Sequence, residues 1–139
     1  MKIGILIIAR LGSTRLPDKH LITIENRTFI EWLAFRFLNS FKSQIEAKDV
    51  KVIIATSSNV VNHKFKKIFA STPVEIFFGS HENIPLRQLQ CAEYFNLTEI
   101  ISIDGDDILC SVKGSNEILG LLNSGSSAVK TSGLPLGMN

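Results

Sequence analysis

The stretch KIGILIIARLGSTRLPDK, from Lys2 to Lys19, decides how the rest of the chain is read. Its first half, through Ala9, is an almost uninterrupted apolar run rich in isoleucine. A half-exposed strand would alternate apolar and polar residues, so this run predicts a strand covered on both faces, as in a parallel sheet. The second half abandons that pattern and gathers Arg10, Arg15 and Lys19 around Gly12, Ser13 and Thr14. Cations placed directly behind a buried strand suit a phosphate. Arg offers planar paired donors, Lys a mobile point charge, and Gly lets backbone N–H groups close in. The competing reading is a solvated basic surface loop.

Working outward, apolar runs and helical stripes alternate along the chain. A long irregular stretch is expected from the first strand to about Arg27. Thr28 and Glu31 then form a capping box. Phe29, Ile30, Leu33, Ala34, Phe37, Leu38 and Phe41 follow at helical spacing. Val50–Thr56 reads as a second buried strand. Asn59–Ala70 reads as a helix with Val60, Val61, Phe65, Ile68 and Phe69 inward, and Val74–Phe78 as a third strand. Pro85 suits a helix start, with Leu86, Leu89, Ala92 and Phe95 as its buried stripe. Glu99–Asp104 is a fourth strand, Ser115–Leu122 a short helix, and Ala128–Thr131 a candidate fifth strand. Strands alternating with helices predict an α/β domain with a mostly parallel sheet flanked by helices, a single domain over residues 1–139.

Bulk properties narrow the function. The chain has 139 residues, 45% of them hydrophobic, and a net charge of +2, too small to argue for nucleic-acid or membrane partners. No apolar stretch is long enough to span a bilayer. Cys91 and Cys110 lack metal-ligand spacing and sit among apolar residues, so buried free thiols in a reducing cytoplasm are expected. The basic loop lacks the G-x-x-x-x-G-K-[ST] and G-x-G-x-x-G patterns, which removes the main support for ATPase and dinucleotide readings.

In open α/β sheets ligands bind beyond the C-terminal ends of the strands. Three polar stations are expected at that edge: Arg10–Lys19, Thr56-Ser57-Ser58, and Asp104-Gly105-Asp106-Asp107. The acidic station reads either as Mg2+ ligands, because that ion needs only one or two carboxylates besides substrate phosphates, or as a solvated turn. Arg87 lies in a first helical turn, where the macrodipole opposes a cation. It reads either as a residue kept for another purpose or as an exposed helix arginine. His20, His63 and His81 read as surface histidines. Trp32 lies off the apolar stripe of its helix and suggests a second packing surface.

The string IIARLGSTRLPDKHL resembles the N-terminal signature of the cytidylyltransferases that make CMP-activated sugars, and within them the spore-coat polysaccharide branch. The segments ATSSN, FFGSHENIPLRQLQCAEYF and ISIDGDDIL look like later segments of that branch in the right order. The resemblance covers essentially the whole chain. It implies a glycosyltransferase-A-like, Rossmann-type nucleotide-binding domain, incomplete at its C-terminus, that moves CMP from CTP to an acidic sugar and releases pyrophosphate in cell-surface polysaccharide synthesis. By residue, it implies that Ala9, Arg10, Gly12 and Ser13 line the CTP site and that Arg10, Arg15 and Lys19 hold the triphosphate. It further implies that Thr56 and Ser58 meet the base and ribose, that Arg87 joins the nucleotide site, and that Asp106, with Asp104, holds Mg2+. Arg10, Lys19 and Asp106 would be the catalytic set. Family members usually carry Pro where Ile108 stands, and the longer family proteins tend to be homodimers. A non-catalytic nucleotide-binding module, or a transferase of the same fold for another base or a sugar phosphate, remains an alternative.

Overall fold

The computed structural model describes residues 2–125. The candidate strand Ala128–Thr131 lies outside the described residues. Among the described residues four parallel strands form the main sheet: β1 (Ile3–Ile8), β4 (Val50–Ser57), β5 (Glu75–Gly79) and β6 (Glu99–Asp104), in spatial order β5-β4-β1-β6. The all-apolar character of β1 follows from its central place. Ile3, Ile5 and Ile7 face one layer of the core, and Leu6 with Ile8 faces the other.

The larger layer is built by α1 (Phe29–Ser40), whose Ile30, Leu33, Ala34 and Phe37 are buried as their spacing predicts. Phe37 is fully buried, and truncating such a side chain to Ala costs about 3–5 kcal/mol. α2 (Lys42–Glu46), α3 (Lys64–Ile68) and α5 (Val112–Asn123) complete the described helices apart from α4 (Ile84–Phe95). Phe65 of α3 and Leu119 of α5 join the α1 layer, whereas Cys91 and Phe95 of α4 cover the opposite face. The capping box of α1 is complete: the Thr28 N–H donates to Glu31 Oε2 at 2.8 Å and the Glu31 N–H to Thr28 Oγ1 at 3.4 Å.

The structure corrects several expectations. The stretch before Arg27 is not wholly irregular. It holds a 3-10 turn at Lys19–Leu21 and a short antiparallel pair, β2 (Thr23–Ile24) with β3 (Arg27–Thr28). Trp32 explains its off-stripe position there: its indole N–H donates to the Ile24 carbonyl at 3.0 Å, and Arg27 lies over its ring. The segment after β4 begins as a 3-10 turn, Val60–His63, leaving Val60 80% exposed. The reason is local. Asn59 turns its side chain onto the Val61 N–H, and Asn62 points inward instead of Val60. In α4 the stripe Leu86–Leu89 faces out, and Arg87 with Cys91 faces in. α5 starts earlier than expected because Ser111 Oγ accepts the Gly114 N–H at 3.0 Å and caps it.

Register is what positions the site. Ile8 stands level with Ala55 of β4 and Asp104 of β6. The chain therefore leaves β1 and β6 at one height and β4 two residues further on, after Ser57, and the segments that follow emerge at the same sheet edge.

Candidate functional site

Beyond Ile8 the backbone continues into Ala9, which is buried, and then into the exposed Arg10. Gly12 adopts φ +79°, a conformation that L side chains rarely tolerate, and this turns the loop back. On the neighbouring strand Gly105 extends the ladder, its N–H donating to the Ile8 carbonyl at 2.9 Å. A Cβ at Gly105 would lie 2.7 Å from that carbonyl and 3.2 Å from His20 Cε1, so the acidic turn packs this closely only with glycine. The turn is then fixed by the Asp106 N–H on Asp104 Oδ1 at 3.3 Å and the Asp107 N–H on the Asp104 carbonyl at 3.0 Å.

These two segments meet. Lys19 Nζ forms an ion pair and hydrogen bond with Asp106 Oδ2, joining residues 87 apart in sequence. Around the pair lies a cavity of about 540 Å³, lined by Ala9, Arg10, Ser13, Arg15, Lys19, His20, Arg87, Asp104 and Asp106, with His81, Glu82 and both isoleucines Ile8 and Ile84. That volume falls in the range of small-molecule sites, about 300–1,000 Å³. Gly12 lines a smaller adjoining recess with Arg10, Ser13 and Arg15.

Two expected residues stand apart from this cavity. Thr56 is fully buried in β4, and its Oγ1 has no hydrogen-bond partner among the described residues. Ser58 lines a separate open groove with Phe77, Phe78 and Tyr94. Arg87 is not an exposed helix arginine: it is 1% exposed. Its Nε donates to the Ser80 carbonyl and a terminal nitrogen to the His81 carbonyl, both at 2.8 Å. Burial, and then the nearby Arg10 charge, lower its pKa. Arg87 thus shapes the cavity wall by holding the loop at Ser80 and His81.

Three residues escaped the sequence reading. His20, expected at the surface, is 3% exposed, with Nε2 3.5 Å from Asp106 Oδ1. Burial lowers its pKa below 6.5, the Asp106 charge opposes that shift, and the Lys19 charge adds to it. Asn62 is fully buried and bridges two stations. Its Oδ1 accepts the Leu11 N–H at 2.7 Å, and its Nδ2 donates to the Ser57 carbonyl at 3.0 Å and to Ser57 Oγ at 2.7 Å. Arg36, on α1, donates to the carbonyls of Ile108 and, at 2.9 Å, Cys110, clamping the segment that follows the acidic turn. Asn62 shares a 3-10 turn with exposed residues, and Arg36 is a lone cation between Phe35 and Phe37, so only their long-range partners reveal them. His63 and His81 are exposed, as expected. Both cysteines are buried free thiols, with burial raising Cys91 to about 12 and Cys110 to about 11.

A parallel sheet with cationic and acidic loops facing each other at its C-terminal edge is an α/β domain of the nucleotidyltransferase kind, the architecture of its structural neighbours. Residues 4–137 match the cytidylyltransferase family, and the chain belongs to that family. It is 28% identical, over 140 aligned residues, to the uncharacterized protein MJ1063 of Methanocaldococcus jannaschii, matching 100% of this chain and 55% of that protein. It superposes on a cytidylyltransferase from Leptospira borgpetersenii with a TM-score of 0.76 and 28% identity, over 91% of this chain and 51% of that one. A CMP:2-keto-3-deoxy-manno-octonic acid synthetase, solved with CTP, shares the fold with a TM-score of 0.70 and 22% identity, over 89% of this chain and 48% of that one. The chain thus spans about half the length of the relatives it matches. Among the described residues no helix is long and apolar enough to cross a membrane.

Proposed function

We propose that this chain carries the nucleotide-binding half of a cytidylyltransferase site, one that takes CTP and passes CMP to an acidic sugar for cell-surface polysaccharide synthesis. The observation that carries this reading is the meeting of Lys19 with Asp106 in a cavity also lined by Arg10 and Arg15. Family membership supports CTP as the nucleotide, and the structural neighbour solved with CTP is consistent with it.

The donor set fits magnesium. Asp106, its side chain 47% exposed, and the exposed Asp104 offer hard carboxylate oxygens on the cavity wall. Among the described residues no group of three His, Cys, Asp or Glu forms a ready-made metal cage. Magnesium suits that pattern, because it takes one or two protein carboxylates and completes its shell with phosphate oxygens and water. Asp106 and Asp104 would hold it, and the ion would offset negative charge on the phosphates.

The chain's own residues do the remaining work. Arg10 and Arg15 attract and orient the triphosphate by charge-assisted hydrogen bonds. Lys19 exchanges its carboxylate for phosphate oxygens and stabilises the departing pyrophosphate. In the transfer an acceptor oxygen attacks the α-phosphorus and the bond to the β-phosphate oxygen breaks, so alignment and electrostatics supply most of the rate. The loop held by Arg87 closes one side of the cavity.

The test combines binding with turnover. Thermal shifts with CTP, UTP, GTP and ATP are expected to favour CTP. Pyrophosphate release with CTP, Mg2+ and a panel of acidic sugars then reports transfer. Equal shifts for all four nucleotides would overturn the cytidine reading. CTP binding without pyrophosphate release would favour a non-catalytic binding module.

A further inference from the structure

We propose that His20 is a positioning residue that fixes the Asp106 carboxylate from below, independently of Lys19; the inference rests on the reading of Asp106 given above. Asp106 sits on an exposed turn, and its contact with Lys19 reaches only Oδ2. If Lys19 turns to phosphate, that contact is lost. His20 faces the other oxygen, Oδ1, at 3.5 Å. Its ring cannot follow an incoming nucleotide. It lies on the 3-10 turn Lys19–Leu21, is 3% exposed, and packs beneath Gly105, where an added Cβ would come within 3.2 Å of its Cε1.

The ring's hydrogen bonding assigns its proton. Nδ1 is buried with no partner among the described residues. A buried N–H left unpaired is costly, whereas a bare lone pair at Nδ1 strands no proton. The neutral ring therefore carries its hydrogen on Nε2, the nitrogen that faces Asp106, and shares it with the Gly105 backbone. Such partners behind a metal-binding group hold its orientation, and removing one typically weakens metal binding about 10–100-fold.

The experiment measures Mn2+ binding by electron paramagnetic resonance, with and without CTP, for the wild type and four variants. His20→Phe keeps the ring volume and loses the donor. His20→Gln places an amide N–H near the Nε2 position, and His20→Asn carries one too short to reach Asp106. Asp106→Asn tests the parent reading. Expected are a loss of about tenfold or more in Mn2+ affinity for His20→Phe and His20→Asn, and recovery to within about threefold for His20→Gln. Nitrogen-15 NMR of the free protein should show Nε2 protonated and Nδ1 bare. Wild-type Mn2+ affinity in both His20→Phe and His20→Asn, or a proton on Nδ1, would overturn the proposal. If His20→Phe fails to fold by circular dichroism, the Gln–Asn contrast decides alone: equal affinities refute it. Unchanged affinity in Asp106→Asn would instead defeat the assignment of Asp106 itself.

Discussion

Asn62→Ala isolates how the cationic loop is held. The side chain is fully buried and makes three hydrogen bonds: it accepts from the Leu11 N–H, and it donates to the Ser57 carbonyl and to Ser57 Oγ. Truncation leaves the Leu11 N–H without its acceptor at a position only 4% exposed. A stranded buried donor costs about 1–3 kcal/mol, and each of the two further hydrogen bonds lost costs about 0.5–1.5 kcal/mol, which together give roughly 4 kcal/mol. At roughly 4 °C per kcal/mol for a domain of this size, Tm should fall by about 16 °C. Urea unfolding followed by Trp32 fluorescence measures the loss, which should move the midpoint without changing the slope. Hydrogen exchange at the Leu11 amide should accelerate as well, locating the damage in the loop. A loss below about 1 kcal/mol, or a Leu11 amide as protected as in the wild type, would refute the bridge.

Three more expectations concern charge and exposure. Lys19→Met should change stability by less than about 1 kcal/mol, because the Asp106 pair is exposed, yet should lower pyrophosphate release on the order of 10²–10³-fold; chemical denaturation and a coupled pyrophosphate assay separate the two effects. Burial holds the folded pKa of His20 below 6.5, so near that pH the unfolded chain binds more protons than the folded one. This contribution to stability is complete above 6.5 and falls as pH drops through 6.5 toward the folded value, so urea midpoints between about pH 7.5 and about pH 5.5 should slope less in His20→Gln than in the wild type. With burial raising Cys91 to about 12 and Cys110 to about 11, neither thiol should react with a disulfide reagent in the native protein. Both should react once it is unfolded.

Legibility in the sequence followed the range of the forces involved. The four strands and α1 were readable because their signals are local: apolar runs, a 3.6-residue stripe and a capping box. β6 appears at Glu99–Asp104, where the apolar run and the terminal acids place it. The stripe of α4 was misread because hydropathy cannot register a buried arginine. Arg87 lies inside because two loop carbonyls satisfy it, and Leu86 and Leu89 are turned outward in consequence. His20 was misread for a related reason. Its burial depends on a glycine 85 positions later, which no local window contains.

The residues gathered at the cavity carry a further consequence. Lys19 and Asp106 remain 29% and 47% exposed, so solvent screens their attraction, and a pair of this kind is worth about 0–1 kcal/mol. Such a pair neutralises two charges without locking them. Under the proposed function a triphosphate would bring several negative charges to Lys19, against the single charge of Asp106, and with Arg10 and Arg15 lining the same cavity the exchange would run downhill at little cost. A buried pair in the same place would resist that exchange, because separating it would strand two desolvated charges. Half-exposure would therefore let these two residues hold each other and still give way to the proposed nucleotide, whereas the buried groups around them, Asn62, Arg87 and His20, are held by their own partners.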